Sequence, residues 1–206
     1  RSTRAGYPAQ KLDLEGITTD GKDGFWVASE GRTDRMIPHG LYHVNAKGEI
    51  KKEVSLPPQL LNVEKRFGFE GITRVGNTLW MVTQREWQDD PKDHVKLVSY
   101  NTDSGEWGAV YYKKAKPSKG WVGMSEIVAH GDFFYVIERD NQIGDAAITK
   151  KIYRIPASEM VPQPLNSSKL PVVSKELVRD LIPDLKQFGG FVVDKIEGLA
   201  INEGGE

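Results

Sequence analysis

Four glutamates recur along the chain, each within two residues of an aliphatic side chain. They are Glu15, Glu70, Glu126 and Glu197, in the segments DLEGI, GFEGI, GMSEI and KIEGL; the first two intervals are nearly equal and the third is longer. A glutamate can ligate a hard cation or pair with an arginine. A motif that recurs after nearly the same number of residues is typical of repeat proteins, in which equivalent residues take equivalent places. We therefore expect the four carboxylates to converge.

The rest of each repeat contains a turn and an aromatic-rich second strand. These strands are FWVASEG at 25–31, LWMVTQR at 79–85 and FFYVIER at 133–139. In each, an aromatic residue precedes a polar residue by four positions, which predicts that both lie on one face of the strand. The pairs are Trp26 and Glu30, Trp80 and Gln84, and Phe134 and Glu138. A third strand follows in each repeat, and a fourth closes the first two.

Four short antiparallel strands per repeat predict the blade of a β-propeller. The predicted fold class is therefore all-β, a propeller of four-stranded antiparallel blades in a single domain over 1–206. A sandwich would also give short strands at regular intervals, but it would not explain why the whole group of motifs repeats with a constant period. The expected blades are 12–66, 67–121 and 122–194, with 195–206 beginning a fourth.

An insertion at 156–194 accounts for the longer third interval. Within it, SKELVRDLI is expected to form a short helix that ends before Pro183 or a strand extension at the outer edge of the blade. Propellers close with ~4 to 8 blades. We therefore expect an arc of a larger propeller, about three blades and one strand, in which the remaining blades or a second chain close the ring.

The propeller interpretation gathers acidic residues at one mouth of the central channel. The first two strands of a blade run antiparallel, so the start of the first and the end of the second lie at the same end. The candidate metal-ligating residues are Glu15, Glu30, Glu70, Glu126, Glu138 and Glu197. Ca²⁺, which takes ~6 to 8 oxygen ligands, is the expected cofactor. The nearby Arg32, Arg85 and Arg139 would either neutralise these acids as salt bridges or bind a substrate phosphate.

Composition excludes several functional classes. The 206 residues carry a formal net charge of −1 and no polybasic run, so we expect no nucleic-acid partner. No apolar stretch approaches the ~18 to 20 residues of a membrane span. The absence of cysteine excludes disulfides, thiolate metal sites and a cysteine nucleophile. GMSEI is not a nucleophile elbow, because Ile127 stands where glycine is required.

Two further groups of polar residues are interpreted as structural. His39 and His43 lie four positions apart in a predicted turn and strand. This spacing does not favour a shared metal ion in a turn and strand, and we expect both histidines to be exposed or at an edge. Asp89, Asp90 and Asp93 are expected to form a solvated turn instead of a surface cation loop.

Taken together, the repeated segments resemble a known family. DLEGITTDGKDGFWVASEGR, GFEGITRVGNTLWMVTQRE, SEIVAHGDFFYVIERD and DKIEGLAI resemble the successive signatures of the bacterial phytase-like proteins called esterase-like activity of phytase, from about Leu12 to Ile201. The resemblance implies a β-propeller, a periplasmic or secreted location, and hydrolysis of small phosphorylated or ester substrates. Gln84, in place of an acid, and the missing glycine after Glu126 depart from the pattern and argue against a symmetric ring of ligands.

Two functional hypotheses follow from these residues. In the first, the chain is part of a Ca²⁺-assisted phosphoester or ester hydrolase whose site lies at the channel mouth. In the second, the propeller is a non-catalytic binding or scaffold module whose carboxylates hold blades together through ions or arginine pairs. The fold alone does not choose between them.

Overall fold

The computed structural model describes residues 12–64, 66–202 and 204–205 and confirms the all-β prediction. Its first sheet contains β1 (Leu14–Thr19), β2 (Phe25–Ser29), β3 (Gly40–Val44) and β4 (Ile50–Ser55). The second contains β5 (Phe69–Val75), β6 (Thr78–Thr83), β7 (His94–Asn101) and β8 (Trp107–Lys113). The third contains β9 (Val122–His130), β10 (Phe133–Asp140), β11 (Lys150–Pro156) and β14 (Glu176–Asp180). Two short strands, β12 (Gln163–Pro164) and β13 (Val172–Val173), lie between β11 and β14 in the chain.

Strands β1–β4, β5–β8 and β9–β11 are antiparallel meanders, in which each strand pairs with the next along the chain, whereas β14 joins β11 only after the insertion. The connections hold the helices α1 (Pro58–Leu61) and α2 (Ile182–Leu185), with 3₁₀ turns at Thr33–Arg35, Gly144–Ala146, Ala157–Glu159 and Gln187–Gly189. In the described part of the chain, no helix is long and apolar enough to cross a membrane.

The insertion serves two neighbouring sheets. Its β12 and β13 pair with β8 at the outer edge of the second sheet, whereas β14 pairs with β11 and completes the third. The strand alternative for SKELVRDLI is thus correct and the helix alternative is wrong. The helix forms later, with Pro183 in its first turn, where the missing proline N–H costs no hydrogen bond.

The second sheet is covered on both faces, which explains its nearly continuous apolar strands. One cluster, which includes Trp26, Phe69 and Leu79, packs it against the first sheet. Another, which includes Trp80 and Phe134, packs it against the third. Each face therefore has its own hydrophobic core.

The first strands of the three sheets lie side by side, β1 against β5 and β5 against β9. Glycine makes this approach close. A Cβ atom on Gly16 would lie 2.9 Å from the backbone nitrogen of Ile72, and one on Gly71 would lie 2.6 Å from that of Ile127. The glycines of the EG motif are thus spacers between strands, a role that glycine takes where backbones approach each other.

Each first strand also contains a β-bulge near its start. The residue left out of the pairing is Glu15 in β1, Glu70 in β5 and Ser125 in β9. Bulges turn side chains toward new directions. The three bulged positions are equally spaced along the chain, and the sequence alignment that matched Glu126 to Glu15 and Glu70 is wrong by one position.

The shifted register changes the second strand as well. In the pairing of first and second strands, Arg139 of β10 is equivalent to Glu30 and Gln84. Glu138 is equivalent to Ser29 and Thr83. A shift of one residue turns a side chain to the opposite face of a strand. Glu138 therefore faces away from the position that the sequence pattern assigned to it.

The fourth motif forms no strand in the described part of the chain. Residues 191–202 are irregular, and no second strand follows there to pair with them. Their position is fixed instead by side chains of the third sheet. Lys150 Nζ donates a hydrogen bond of 2.7 Å to the carbonyl of Asp194.

The Gly71→Ala substitution should destabilise the protein. The added methyl group would meet the carboxylate of Glu126 and the backbone of Ile127, and overpacking of this kind costs about 1–3 kcal/mol. Gly198→Ala is the matched control, because a Cβ atom there would have no neighbour within 4 Å. Urea unfolding should give a loss of about 2 kcal/mol for the first and within about 0.5 kcal/mol of no change for the second. Equal stabilities of the two variants would contradict the spacer role.

Candidate functional site

Three carboxylates meet where the first hairpin begins and ends. Asp13, Glu15 and Glu30 each offer an oxygen, and these atoms lie within 4.8 Å of one another. The backbone holds them there, because Glu30 N–H donates a 2.8 Å hydrogen bond to the Asp13 carbonyl and Asp13 N–H donates one of 3.1 Å to Ser29 Oγ. The bulge at Glu15 brings its side chain to the same place. We call these three residues the carboxylate cluster.

Glu70 adjoins the carboxylate cluster from the second sheet. It is buried, and Gln84 Nε2 donates a hydrogen bond to its Oε1. Burial, together with the negative charges of Glu30, Glu15 and Glu197, raises the pKa of Glu70 to about 9. Glu70 therefore holds its proton at neutral pH, and Gln84 stands where a second acid would add to the repulsion.

The third sheet contributes an arginine instead of an acid. Arg139 is buried, and its Nε donates a 3.0 Å hydrogen bond to Ser125 Oγ. Its terminal nitrogens lie 3.3 Å from both Asp194 and Glu197, and Glu197 also lies 3.1 Å from Lys195 Nζ. The predicted carboxylate of the fourth motif is therefore neutralised by basic side chains.

Three predicted site residues lie outside this arrangement. Glu138 is buried and accepts hydrogen bonds from the Tyr112 hydroxyl at 2.8 Å, the Ala115 amide at 2.7 Å and Lys175 Nζ at 2.6 Å. It joins the second and third sheets. Arg32 is paired with Asp34 at 2.9 Å.

Glu126, the third of these residues, lies over Gly71 between β5 and β9. Its Oε1 accepts a 2.9 Å hydrogen bond from the Ile127 amide, and burial raises its pKa to about 7. The structure thus brings Glu15, Glu30 and Glu70 together, places Glu197 on Arg139, and leaves Glu126 and Glu138 outside the carboxylate cluster.

Sequence reasoning missed two acidic residues that belong here, Asp13 and Asp194. Both were visible, since Asp13 precedes Glu15 by two positions and Asp194 precedes Glu197 by three. The recurrence of glutamate alone does not include either of them. An acidic residue two or three positions before the glutamate of both motifs was the available signal.

The predictions about polar residues hold for the exposed Asp89 but fail at His39 and Asp90. His39 is buried, not exposed; it pairs with Glu64, and its Nδ1 accepts a 3.1 Å hydrogen bond from the Gly31 amide. The Asp90 carboxylate is fully buried and pairs with Lys96. Both were misassigned because polar residue types predict exposure unless a buried partner is known.

The carboxylate cluster fits a hard cation. All of its donors are oxygens, which Ca²⁺ and Mg²⁺ prefer. Burial and the neighbouring acids raise the pKa values of Glu15 and Glu30, because Lys195 and Arg66 only partly offset the repulsion. In residues 12–64, 66–202 and 204–205, no lysine or arginine forms an ion pair with any of the three.

The protein family of the chain bears on the reaction that this site could perform. A family model described as phytase-like, esterase-like activity of phytase, matches residues 1–206. The chain belongs to this family. A search of curated proteins finds no match. The description of the phytase-like family points to a hydrolase, without placing its site or naming its metal.

In this phytase-like protein, stability should fall as the pH rises. The pKa of Glu70 is about 9 in the folded state against 4.5 when unperturbed, so the folded state binds more protons between these values. The loss approaches about 1.4 kcal/mol per pH unit for one proton. Glu70→Gln should remove the part of the slope that Glu70 contributes, because an amide does not ionise, and leave the smaller part from Glu126.

Urea unfolding from pH 5 to 8 in chelator tests this expectation. The Glu70→Gln variant should match the wild type near pH 5 and exceed it at pH 8. Glu106→Gln, an exposed change in the β7–β8 turn, should keep the wild-type slope. Parallel curves for Glu70→Gln and the wild type would show that Glu70 is not the titrating group.

Proposed function

We propose that the three sheets are blades of a β-propeller, at 12–66, 67–121 and 122–194. The meander order of each sheet supports this, as does the side-by-side packing of β1, β5 and β9. The bulge that recurs at equal intervals, once in each first strand, supports it further, because equivalent blades repeat such features. The starts of the first strands then lie around one mouth of a central channel.

Further blades, or a second chain, complete the ring in this proposal. The outward face of β1 supports this, since Leu14 and Ile17 are more than half exposed. Exposed apolar side chains that form a contiguous patch commonly mark an interaction surface. The family resemblance adds a periplasmic or secreted location.

The chain is part of a hydrolase of phosphoesters or esters that uses a divalent cation, with Ca²⁺ as the favoured ion. The convergence of Asp13, Glu15 and Glu30 is the observation that carries this proposal. The family description supports the hydrolytic reaction. When bound, the cation supplies positive charge that offsets a phosphate and acidifies water.

Other residues prepare the site for a charged substrate. Protonated Glu70 limits the negative charge beside the carboxylate cluster, which would otherwise repel a phosphate. Arg139 holds Asp194 and Glu197 and so keeps their charges neutralised. Arg85 is available for the substrate, because it forms no ion pair within the described residues.

The second candidate is a non-catalytic binding or scaffold module. The Arg139 network favours it, because the ion pairs with Asp194 and Glu197 join the 194–197 segment to the third sheet without any cation. In this case Ca²⁺ would stabilise the fold and hydrolyse nothing.

Hydrolysis of p-nitrophenyl phosphate and p-nitrophenyl acetate distinguishes these functions. We expect turnover of at least one of the two in Ca²⁺, its loss in chelator, and its recovery when Ca²⁺ is restored. A rise in Tm with Ca²⁺ but no hydrolysis of either compound would support the scaffold module and overturn the hydrolase.

A further inference from the structure

A group of arginines and aromatic rings lies beside the carboxylate cluster. The Arg85 guanidinium lies 4.4 Å from the centre of the Phe67 ring and 5.1 Å from that of Trp121. Arg66 lies 4.2 Å from the Phe67 ring, and Arg139 lies 5.0 Å from the Trp121 ring. Each of the two rings thus contacts two guanidinium groups, and the contacts run from the second sheet to the third. We call these five residues the arginine–aromatic stack.

Two arginines of this stack make no direct ion pair among the described residues: Arg85, which Glu86 approaches, and the exposed Arg66, which Glu30 approaches. Arg85 Nε is buried without a hydrogen-bond acceptor, and neither Arg85 nor Arg66 forms an ion pair within the described chain. Glu86 is the carboxylate nearest to Arg85 in sequence, but it already accepts hydrogen bonds from Lys114 Nζ at 3.0 Å and from the Asp93 amide at 3.1 Å. A buried donor without an acceptor is costly, and an oxyanion would satisfy it.

The stack is joined to the carboxylate cluster through the backbone. Phe67 adopts a left-handed conformation, with φ of 62°, which is unusual for a bulky residue. Its carbonyl accepts a 3.2 Å hydrogen bond from Trp87 Nε1, and the next residue, Gly68, donates a 3.1 Å hydrogen bond to Glu30 Oε1. Strain of this kind persists where surrounding contacts fix it, and it is common at functional sites.

We propose that Arg66 and Arg85 bind the phosphate group of a ligand, with Phe67 and Trp121 holding the guanidinium planes. A guanidinium presents two parallel N–H donors to phosphate oxygens, and stacking on a ring pre-orients them. A cavity of about 320 Å³, lined by Arg66, Phe67 and Glu86 and adjoining Arg85 through the Phe67 ring, gives room for the rest of the ligand. The inference deepens the proposed function. Phosphate binding by the two arginines does not depend on that function, and only the statement that the ligand is a substrate rests on it.

Calorimetric titration in chelator tests this site without any cation. Inorganic phosphate and phenyl phosphate are the probes, and the variants are Arg66→Gln, Arg85→Gln and Arg85→Lys. Arg35→Gln is the control, because Arg35 is an exposed arginine in the loop that follows β2. Circular dichroism and Tm establish that every variant is folded.

The wild type should bind, and each glutamine variant should bind at least ten times more weakly. Arg85→Lys should bind more weakly than the wild type despite its retained charge, whereas Arg35→Gln should bind normally. Tighter binding of phenyl phosphate would identify an ester as the ligand, and equal binding would identify free phosphate. The inference is overturned if the folded wild type does not bind in chelator, or if the Arg66→Gln and Arg85→Gln variants bind as the wild type does. Binding without Ca²⁺-dependent hydrolysis would leave the phosphate site in place and reject the hydrolase alone.

Discussion

Glu30→Gln should remove most of the stabilisation that Ca²⁺ gives to the protein. At a concentration of 100 times Kd, Ca²⁺ should stabilise the wild type by about 2.7 kcal/mol, or a Tm rise on the order of 5–10 °C for a chain of this size. Loss of one of three carboxylates should weaken binding on the order of 100-fold, since charge count sets cation affinity. The stabilisation left at the same concentration is then about 0.4 kcal/mol.

The substitution changes little else. A glutamine oxygen can still accept the hydrogen bond that Gly68 N–H donates to Glu30. Glu15→Gln should behave in the same way, because its carboxylate lies in the same cluster. Asp23→Asn is the matched control, since Asp23 is exposed in the turn at the opposite end of the same hairpin. Thermal unfolding with and without Ca²⁺ makes the comparison, and a wild-type response in Glu30→Gln would remove that residue from the site.

Lys150→Met should cost about 3 kcal/mol of unfolding free energy. Lys150 is completely buried, and its Nζ lies 3.1 Å from the buried Asp140 carboxylate. It also donates to the carbonyls of Asp140 and Asp194, at 2.6 and 2.7 Å. Removal of one partner from a buried ion pair costs about 3–5 kcal/mol. The lower value is expected because the Ile148 and Thr149 amides still donate to Asp140.

Lys151→Met is the control for this change. Lys151 neighbours Lys150 in β11, faces the other side of the sheet and is partly exposed. Urea unfolding should show a change within about 0.5 kcal/mol for Lys151→Met. A loss below about 1 kcal/mol for Lys150→Met would mean that the buried Lys150–Asp140 pair does not stabilise the fold.

The repeat was readable from sequence because it rests on local signals. Turn residues, alternating apolar side chains and the aromatic second strands indicated antiparallel hairpins, and the sheets of the structure contain them. A glycine within a strand is typical of close backbone approach, and the structure places the glycines after Glu15 and Glu70 between neighbouring first strands.

The register of the third repeat was not readable in the same way. Residue type aligned Glu126 with Glu15 and Glu70, but the bulge lies at Ser125, so Glu126 takes the place of the glycine. A bulge inserts one residue without a distinctive sequence, and a shift of one position reverses the face of every later side chain. Glu138 was therefore assigned to the site, although it faces Tyr112 and Lys175.

Contacts between distant segments were also beyond the sequence. The pairing of Arg139 with Asp194 and Glu197 joins segments that lie far apart in the chain. The placement of Arg85 between Phe67 and Trp121 depends on the packing of the second sheet against the third. Propensity and periodicity report on neighbours in the chain, so neither could supply these partners.

Anomalous diffraction from crystals grown in Ca²⁺ tests the central claim most directly. A cation bound by the carboxylate cluster should give a peak about 2.3–2.6 Å from oxygens of Asp13, Glu15 and Glu30, the usual Ca²⁺ coordination distance. That peak should be missing from crystals of Glu30→Gln. A wild-type structure in saturating Ca²⁺ with no peak at these three carboxylates would contradict the account.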